Sequence, residues 1–276
     1  MIRARTLFIH TALIAATFAM LYPLLWMFAS SFKPEAIIFT DLSIWPQRFD
    51  FSNYVQGWHA LQESFTVFFS NSTLIAVLVV IGNCVSCSIT AYAFARLQFR
   101  GRRLWFVVML GTLMLPYHVT LIPQYVLFQQ LGWVDTFLPL VVPKFLAADA
   151  FFIFLMVQFF RAIPRELEEA AVMDGCGPWR IYWKIMLPLS LPVLATTAIF
   201  SFLWTWNDFL GPLVYLNDTS LYTVPLALRA FVDAAGQSAW GQLFAMSVLA
   251  LLPIFLVFLF FQRLIIEGVA QSGMKR

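Results

Sequence analysis

Charge is the scarcest commodity in this sequence: Asp, Glu, Lys and Arg make up 11% of its 276 residues, where a soluble domain carries about 25%. Hydrophobic residues make up 61% of the chain and include 30 Phe, and the mean hydropathy is +0.82. So few charges cannot cover the surface of a protein this size in water. That excludes a soluble enzyme, a nucleic-acid-binding module and a disordered regulator. Histidine and cysteine number three each. His10, His59 and His118 are dispersed with no H-E-x-x-H spacing, so no metal or catalytic site is expected. Cys84-Val85-Ser86-Cys87 has C-x-x-C spacing but lies in an apolar run, where thiols pack helices and do not do redox or metal chemistry. With Cys176 expected on the reducing side, no disulfide framework is foreseen. None of the 12 glycines is followed by Lys, so the phosphate-cradling G-x-x-x-x-G-K-[ST] loop is missing. The chain is not itself an ATPase.

What is abundant is apolar length. A helix needs about 20 apolar residues to cross the hydrocarbon core, and six stretches qualify: residues 7–29, 69–95, 104–128, 137–160, 191–216 and 243–261. Lipid forces the backbone to satisfy itself internally, and no ten-residue alternating periods speak for a barrel. The expected fold class is therefore all-α integral membrane with six transmembrane helices, in one domain over residues 1–276. Arg3 and Arg5 before the first run resemble the start of a signal peptide, but Tyr22, Pro23 and Trp26 occupy the place of a small-residue cleavage site. An uncleaved first helix is expected.

Of the 17 Lys and Arg residues, 13 fall on the face shared by both termini, including Arg96, Arg100, Arg102, Arg103, Arg161, Arg165, Arg180 and Lys184. Arg263, Lys275 and Arg276 join Arg3 and Arg5 there, and Lys33, Arg48, Lys144 and Arg229 are left for the opposite face. Positive residues favour the cytoplasm, so both termini are placed inside. Two long external segments follow. Residues 30–67 carry Trp45, Pro46, Phe51, Tyr54 and Trp58, and residues 217–242 carry Asp218, Tyr222, Asp233 and Trp240. Their aromatics either anchor to headgroups or dock a soluble partner.

The inner loop, residues 161–191, reads RAIPRELEEAAVMDGCGPWRIYWKIMLPLSL. Pro164 at a first helical position and Glu166, Glu168 and Glu169 in the first turns suit the positive end of a helix dipole. Gly175 or Gly177 ends that helix, and Pro178 starts a second that stops before Pro188. A helix-turn-helix at the membrane surface results. Leu167, Ala170, Ala171 and Asp174 share one face, and Trp179, Tyr182, Trp183 and Met186 share an apolar one. It is either an interfacial amphipathic helix or a knob for a groove on a cytoplasmic protein.

Polar residues inside the spans are the candidates for a translocation path. Asn207 and Asp208 interrupt the fifth span; Asn83, Ser86 and Ser88 lie on the second. Helix–helix hydrogen bonds are the competing reading for each, with a position near the outer interface as a further one for Asn207 and Asp208. Lys144 and Asp149 are expected to mark the outer end of span four, leaving no intramembrane Lys or Arg and no buried charge pair.

Glu169-Ala170-Ala171, then Asp174-Gly175, Ile185, Leu187-Pro188-Leu189 and Pro192, resemble the EAA loop of ABC importer permeases, with Cys176 where the family has Ala. Tyr22-Pro23, Ser30-Ser31-Phe32-Lys33, Asn71-Ser72, Ala91-Tyr92-Ala93-Phe94-Ala95-Arg96 and Leu115-Pro116 extend the likeness. So do Leu121-Ile122-Pro123 and Trp206-Asn207-Asp208. Over nearly the whole chain the sequence is similar to the maltose-type permeases of the carbohydrate-uptake group, MalG-like in its span count. The resemblance implies a type I importer permease whose cytoplasmic coupling helix seats in a separate ATPase. Glu169, Ala170, Ala171, Asp174 and Gly175 would form that joint. It further implies a second, MalF-like permease, two ATPase subunits using ATP and Mg, and an extracytoplasmic solute-binding protein. The chain itself needs no cofactor. Sugar or oligosaccharide is the expected substrate class, with glycerol 3-phosphate or glycerophosphodiesters as the alternative. An autonomous ion-coupled transporter is the reading from a different class.

Overall fold

A computed structural model describes residues 2–46, 49–234 and 239–273. Arg48, Lys275 and Arg276 lie outside the described residues, as do the side chains of Arg3, Arg5, Asp233 and Arg263. The described chain is helical, with no strand in it. Four helical stretches are long and apolar enough to cross a membrane unaided: Thr6–Ser30, Phe65–Arg96, Leu138–Ala162 and Trp240–Gln262. Two bent pairs, Arg102–Thr112 with Tyr117–Gln130 and Pro178–Leu189 with Leu191–Trp206, raise the number to as many as six, the second pair reaching back into the stretch expected to be an inner loop.

The backbone divides into two compact units. The first comprises Met1–Phe68 and Leu226–Pro253. It holds α1 (Ile2–Ser30), α2 (Ser52–Trp58), most of α13 (Val224–Ala234) and the start of α14 (Trp240–Gly273). Apolar side chains surround α1, with Phe8, Phe18 and Met20 all largely exposed, and its threonines bond back into it: Thr11 Oγ1 donates to Leu7 O at 3.0 Å and Thr17 Oγ1 to Leu13 O at 2.8 Å. Such a helix suits lipid.

The connection after α1 is tied by polar side chains. Fully buried Lys33 donates through Nζ to Asp41 O at 2.5 Å and Ser43 O at 2.7 Å. Asn53 Nδ2 reaches Ser31 O and Lys33 O, both at 2.9 Å, and hydrogen bonds from Ser43 hold the Asp41 carboxyl below its ordinary value. Glu35 accepts from the Trp240 and Gly241 amides at 2.9 and 2.8 Å, so a carboxylate meets the positive end of α14. The Ser30-Ser31-Phe32-Lys33 segment is thus a structural clasp.

The second unit comprises Phe69–Pro225 and Ile254–Arg276. Its mast is α3 (Phe65–Arg96), at 32 residues about 48 Å long by the usual rise, well beyond the ~30 Å hydrocarbon core. Around it stand α4 (Arg102–Thr112), α5 (Tyr117–Gln130), α6 (Leu138–Phe145) and α7 (Ala150–Ala162). Then come α8 (Glu166–Met173), α9 (Pro178–Ile181), a π-helical turn at Tyr182–Met186 and α10 (Leu187–Leu189). The fifth span is α11 (Leu191–Trp206) followed by α12 (Leu210–Tyr215). Its main core joins Ala91, Tyr92 and Phe94 of α3 to Phe152, Met156 and Phe160 of α7 and to Tyr182 and Met186.

Helices in this unit are broken, and the breaks correct several expectations. The third span is not a rod: α4 and α5 meet at 101° before Pro116, and each half is too short to cross alone. The helix begun at Pro178 does not stop before Pro188. The π-turn between them, in which Leu187 N–H bonds to Tyr182 O, carries the chain on into α10, where a proline near the first position needs no N–H partner. The span Leu138–Ala162 is itself interrupted at residues 146–149, with Ala147 in the left-handed region at φ +55°. Lys144 and Asp149 sit at that interruption, paired at 2.9 Å, and not at the end of the span. The spans therefore do contain a charge pair.

One stripe of α3 repairs this break. A Cβ on Gly82 would stand 2.9 Å from the Phe145 ring and 3.1 Å from the Lys144 carbonyl carbon; only glycine lets the two backbones approach so closely. One turn on, Ser86 Oγ donates to Lys144 O at 2.6 Å, and Cys87 Sγ lies 3.8 Å from Asp149 O. Freed carbonyls find donors without water. A valine at Gly82 overpacks this contact, and Gly82→Val is expected to cost about 1–3 kcal/mol, read as a lower midpoint in thermal melting of the detergent-solubilised protein.

Candidate functional site

Two features gather the polar residues of the second unit: the α8–α10 loop and a cavity among the broken spans.

Helix α8 begins at Glu166, two residues beyond Pro164 and not on it, with Glu166, Glu168 and Glu169 in its first turn. It ends where Gly175 turns left-handed at φ +77°, with Gly175 N bonded to Val172 O and Cys176 N to Ala171 O, both at 2.9 Å. Of the two glycines that could have ended it, Gly175 does so; Gly177 is extended and precedes α9, with Pro178 at its first position. A side chain on Gly175 would meet nothing within 4 Å, so its cost lies in the turn alone.

The loop is held by three side chains on one stripe of α3, spaced four residues apart. Ser88 Oγ bonds Tyr182 OH at 2.8 Å, and Tyr92 OH donates to Pro178 O at 3.2 Å. Arg96, its side chain 3% exposed, ion-pairs through Nε with Glu168 at 2.9 Å. Its Nη2 donates to Phe160 O at 2.6 Å and also to Ile163 O. Arg96 thus closes the carbonyl end of α7 and fastens α8 with one side chain. Burial raises the Glu168 carboxyl above its ordinary value, and the guanidiniums of Arg96 and Arg165 pull it back.

Ala171 of the expected joint is buried, in the core with Ile181 and Tyr182, while Glu169, Ala170, Asp174 and Gly175 are exposed. The proposed shared face of Leu167, Ala170, Ala171 and Asp174 is therefore split, and Ala171 seats the loop. Val172 and Met173, which the sequence analysis did not single out, are exposed, Met173 by 88%. On the second helix Tyr182 and Met186 face inward, whereas Trp179 and Trp183 stay largely exposed.

The cavity, of about 380 Å³, is lined from α3 by Ser72, from α5 by Tyr117, from α6 by Lys144, and from α11 and its end by Trp204, Thr205 and Asp208. Of the five path candidates only Asp208 is among these. Asp208 lies in the break between α11 and α12, and its Oδ1 accepts from Gly211 N at 3.1 Å. Asn207 turns back to Leu203 O at 2.8 Å, Asn83 is buried against Ser201 Oγ at 3.0 Å, and Ser86 serves the α6–α7 break. Asn83 and Ser86 thus make helix–helix contacts, whereas Asn207 bonds within its own helix and is exposed. Lys144, Tyr117, Trp204 and Thr205 were missed. Lys144 carried a usable signal: it stands eight residues inside the stretch 137–160, and a cation at that depth faces protein or a cavity. It brings a positive charge to the cavity, but both oxygens of Asp149 already hold it, at 2.9 and 3.0 Å.

The family described as binding-protein-dependent transport system inner membrane component matches residues 87–271. The chain is 34% identical to the arabinooligosaccharides transport system permease protein AraQ of Halalkalibacterium halodurans, over 94% of this chain and 92% of that protein. It is 31% identical to the sn-glycerol-3-phosphate transport system permease protein UgpE of Yersinia enterocolitica, over 98% of each. Its fold matches a chain of a bacterial ABC transporter involved in the import of the acidic polysaccharide alginate. That match has a TM-score of 0.85 and 25% identity, and covers 95% of this chain and 96% of the other.

Arg96→Leu strips donors from two carbonyls and the partner from Glu168, at an expected cost of about 3–5 kcal/mol. Burial then acts on Glu168 with less opposition, so the folded carboxyl binds its proton more readily than the unfolded one. The deficit shrinks as pH falls. Thermal melts of the variant at pH 8 and pH 6 check both statements.

Proposed function

The chain belongs to the family of binding-protein-dependent transport system inner membrane components, and we propose from this that it supplies half of the translocation path of an ATP-driven importer for a sugar or oligosaccharide. In this reading a homologous MalF-like permease supplies the other half. Two cytoplasmic ATPase subunits, using ATP and Mg, drive the cycle, and an extracytoplasmic solute-binding protein delivers substrate to the outer segments. The loop end of α3 and both termini face the cytoplasm, in accord with the bias of the 17 basic residues.

The observation that carries the coupling role is the three-point attachment of the loop to α3. A loop fastened by Ser88, Tyr92 and Arg96 moves as one body with the longest helix in the unit. Displacement of its tip by an ATPase therefore reaches the spans. Glu169, Ala170, Asp174 and Gly175 are the contact surface, extended by Val172 and Met173, and Ala171 holds it in place.

For the substrate, the cavity supports a hydroxyl-rich solute. The Trp204 ring offers an apolar face, and Tyr117, Thr205, Ser72 and Asp208 offer donors and acceptors, the mixture a saccharide matches. Its size falls in the range of small-molecule sites. One observation favours the second reading, import of glycerol 3-phosphate or a glycerophosphodiester: Lys144 is a cation in the cavity, and the Yersinia relative named above carries that substrate in its name. Asp149 neutralises Lys144 and Asp208 adds a carboxylate, so a phosphate would have to break an existing pair beside a like charge. The neutral sugar is the better fit.

Gly175→Val strains the turn without touching the rest of the chain. It should leave insertion and assembly intact, lower substrate uptake at least about tenfold and uncouple ATP hydrolysis from it; normal uptake would sink the coupling role. Uptake by this chain alone without ATP hydrolysis would instead favour an ion-coupled transporter. Calorimetry of the cognate binding protein against oligosaccharides and glycerol 3-phosphate decides the substrate class.

A further inference from the structure

Where α3 ends, α4 begins and α7 ends, arginines gather without counter-ions. Arg102 and Arg103 open α4, and Arg161 stands in the last turn of α7. With Phe106 and Val107 they line a hollow of about 430 Å³. A second hollow of about 480 Å³ adjoins it on the far side of Arg102 and Arg103, lined also by Phe99 and Leu104. No carboxylate lines either hollow.

Arg102 is committed to the chain: its guanidinium donates to Leu97 O at 3.1 Å and Ala95 O at 3.2 Å, fixing the connection between α3 and α4. It also feels the charges of Arg161, Arg165 and Arg103. Arg161 lies 5.0 Å from the centre of the Phe106 ring, a contact that orients the guanidinium but does not neutralise it. Among the described residues neither Arg103 nor Arg161 forms an ion pair, and the nearby Glu168 is taken by Arg96.

We propose that this arginine pocket binds the phosphate headgroup of an anionic phospholipid. Three cations at the mouth of a span, with no acid among the lining residues, leave a local charge that a net-negative headgroup balances and a zwitterionic one does not. The wall next to it identifies the source of the phosphate as lipid. Leu104, Trp105 and Val107, within one turn of the arginines on α4, are 65%, 58% and 63% exposed, an apolar surface for acyl chains directly below a polar slot. A slot that opens onto this lipid-facing surface is within reach of a headgroup whose acyl chains lie along α4. The pocket lies against the end of α7 that Arg96 closes and beside Arg165, which precedes α8. The headgroup would therefore sit next to the root of the loop.

The complete importer containing this chain, purified in detergent, tests the site by native mass spectrometry. It would be titrated with palmitoyl-oleoyl phosphatidylglycerol (POPG) and the matching phosphatidylcholine (POPC). The unaltered protein is expected to retain POPG over POPC. R103Q combined with R161Q should weaken POPG binding about twenty-five-fold, fivefold for each arginine facing an anionic headgroup. Equal retention of the two lipids, or POPG binding unchanged in the double variant, overturns the proposal. Two competitors added to the unaltered protein need no variant to fold: inorganic phosphate and glycerol 1-phosphate at millimolar concentration. Retention of POPG against both supports the lipid, and its displacement by either shows the slot to be a free-anion site and overturns it.

Discussion

In hydrocarbon a backbone carbonyl without a donor is among the most expensive groups a protein can hold, and the second unit depends on how α3 meets that cost. Two runs of its residues, each at four-residue spacing, face the irregularities in turn. Gly82 and Ser86 close on the interruption of the fourth span, and Ser88, Tyr92 and Arg96 fasten the loop. One uninterrupted helix thus makes it possible for its neighbours to be broken. Without those donors the breaks at residues 146–149 and the end of α7 would face lipid or collapse into regular helix.

The breaks are also where the polar side chains collect. Lys144 stands beside one, Asp208 lies in another, and Tyr117 begins the helix after the sharp bend at Pro116. Irregular backbone at membrane depth is tolerated where it lines a cavity, and here the cavity and the irregularities coincide. The same logic links the cavity to the loop. Ser86 and Ser88 are two residues apart on α3, one serving the break beside Lys144 and the other the loop through Tyr182. The break beside the cavity and the loop are thus tied to the same helix.

Apolar length pointed to the spans, four of which are helices long enough to cross unaided, because the bilayer imposes a threshold that sequence alone can be measured against. The loop was legible for a local reason: Pro, Glu and Gly occupy the positions that helix starts, dipoles and left-handed turns require. What stayed hidden depended on partners distant in sequence. The π-turn that carries the chain through Pro188 has no local signature, and Pro188 on its own reads as a stop. Asn83 and Ser86 look like path residues until Ser201 and the Lys144 carbonyl are placed beside them. Ala171 shares type and spacing with Ala170, yet packing against Ile181 and Tyr182 turns one inward and leaves the other out. Lys144 was misplaced because its pairing with Asp149 resembled an interfacial pair, and only the interruption at Ala147 shows that the pair lies within the span.

That pair has an electrical consequence. A lone lysine within a span would carry a full charge through the membrane field whenever the span shifts, and a potential of 100 mV weights such a displacement by about 2.3 kcal/mol per charge. Because Lys144 and Asp149 flank one break in a single span, held 2.9 Å apart, they move together and their gating charges cancel. Asp208 is then the uncompensated charge at the cavity wall. A shift of these spans would therefore feel the membrane potential through Asp208 and not through the Lys144–Asp149 pair.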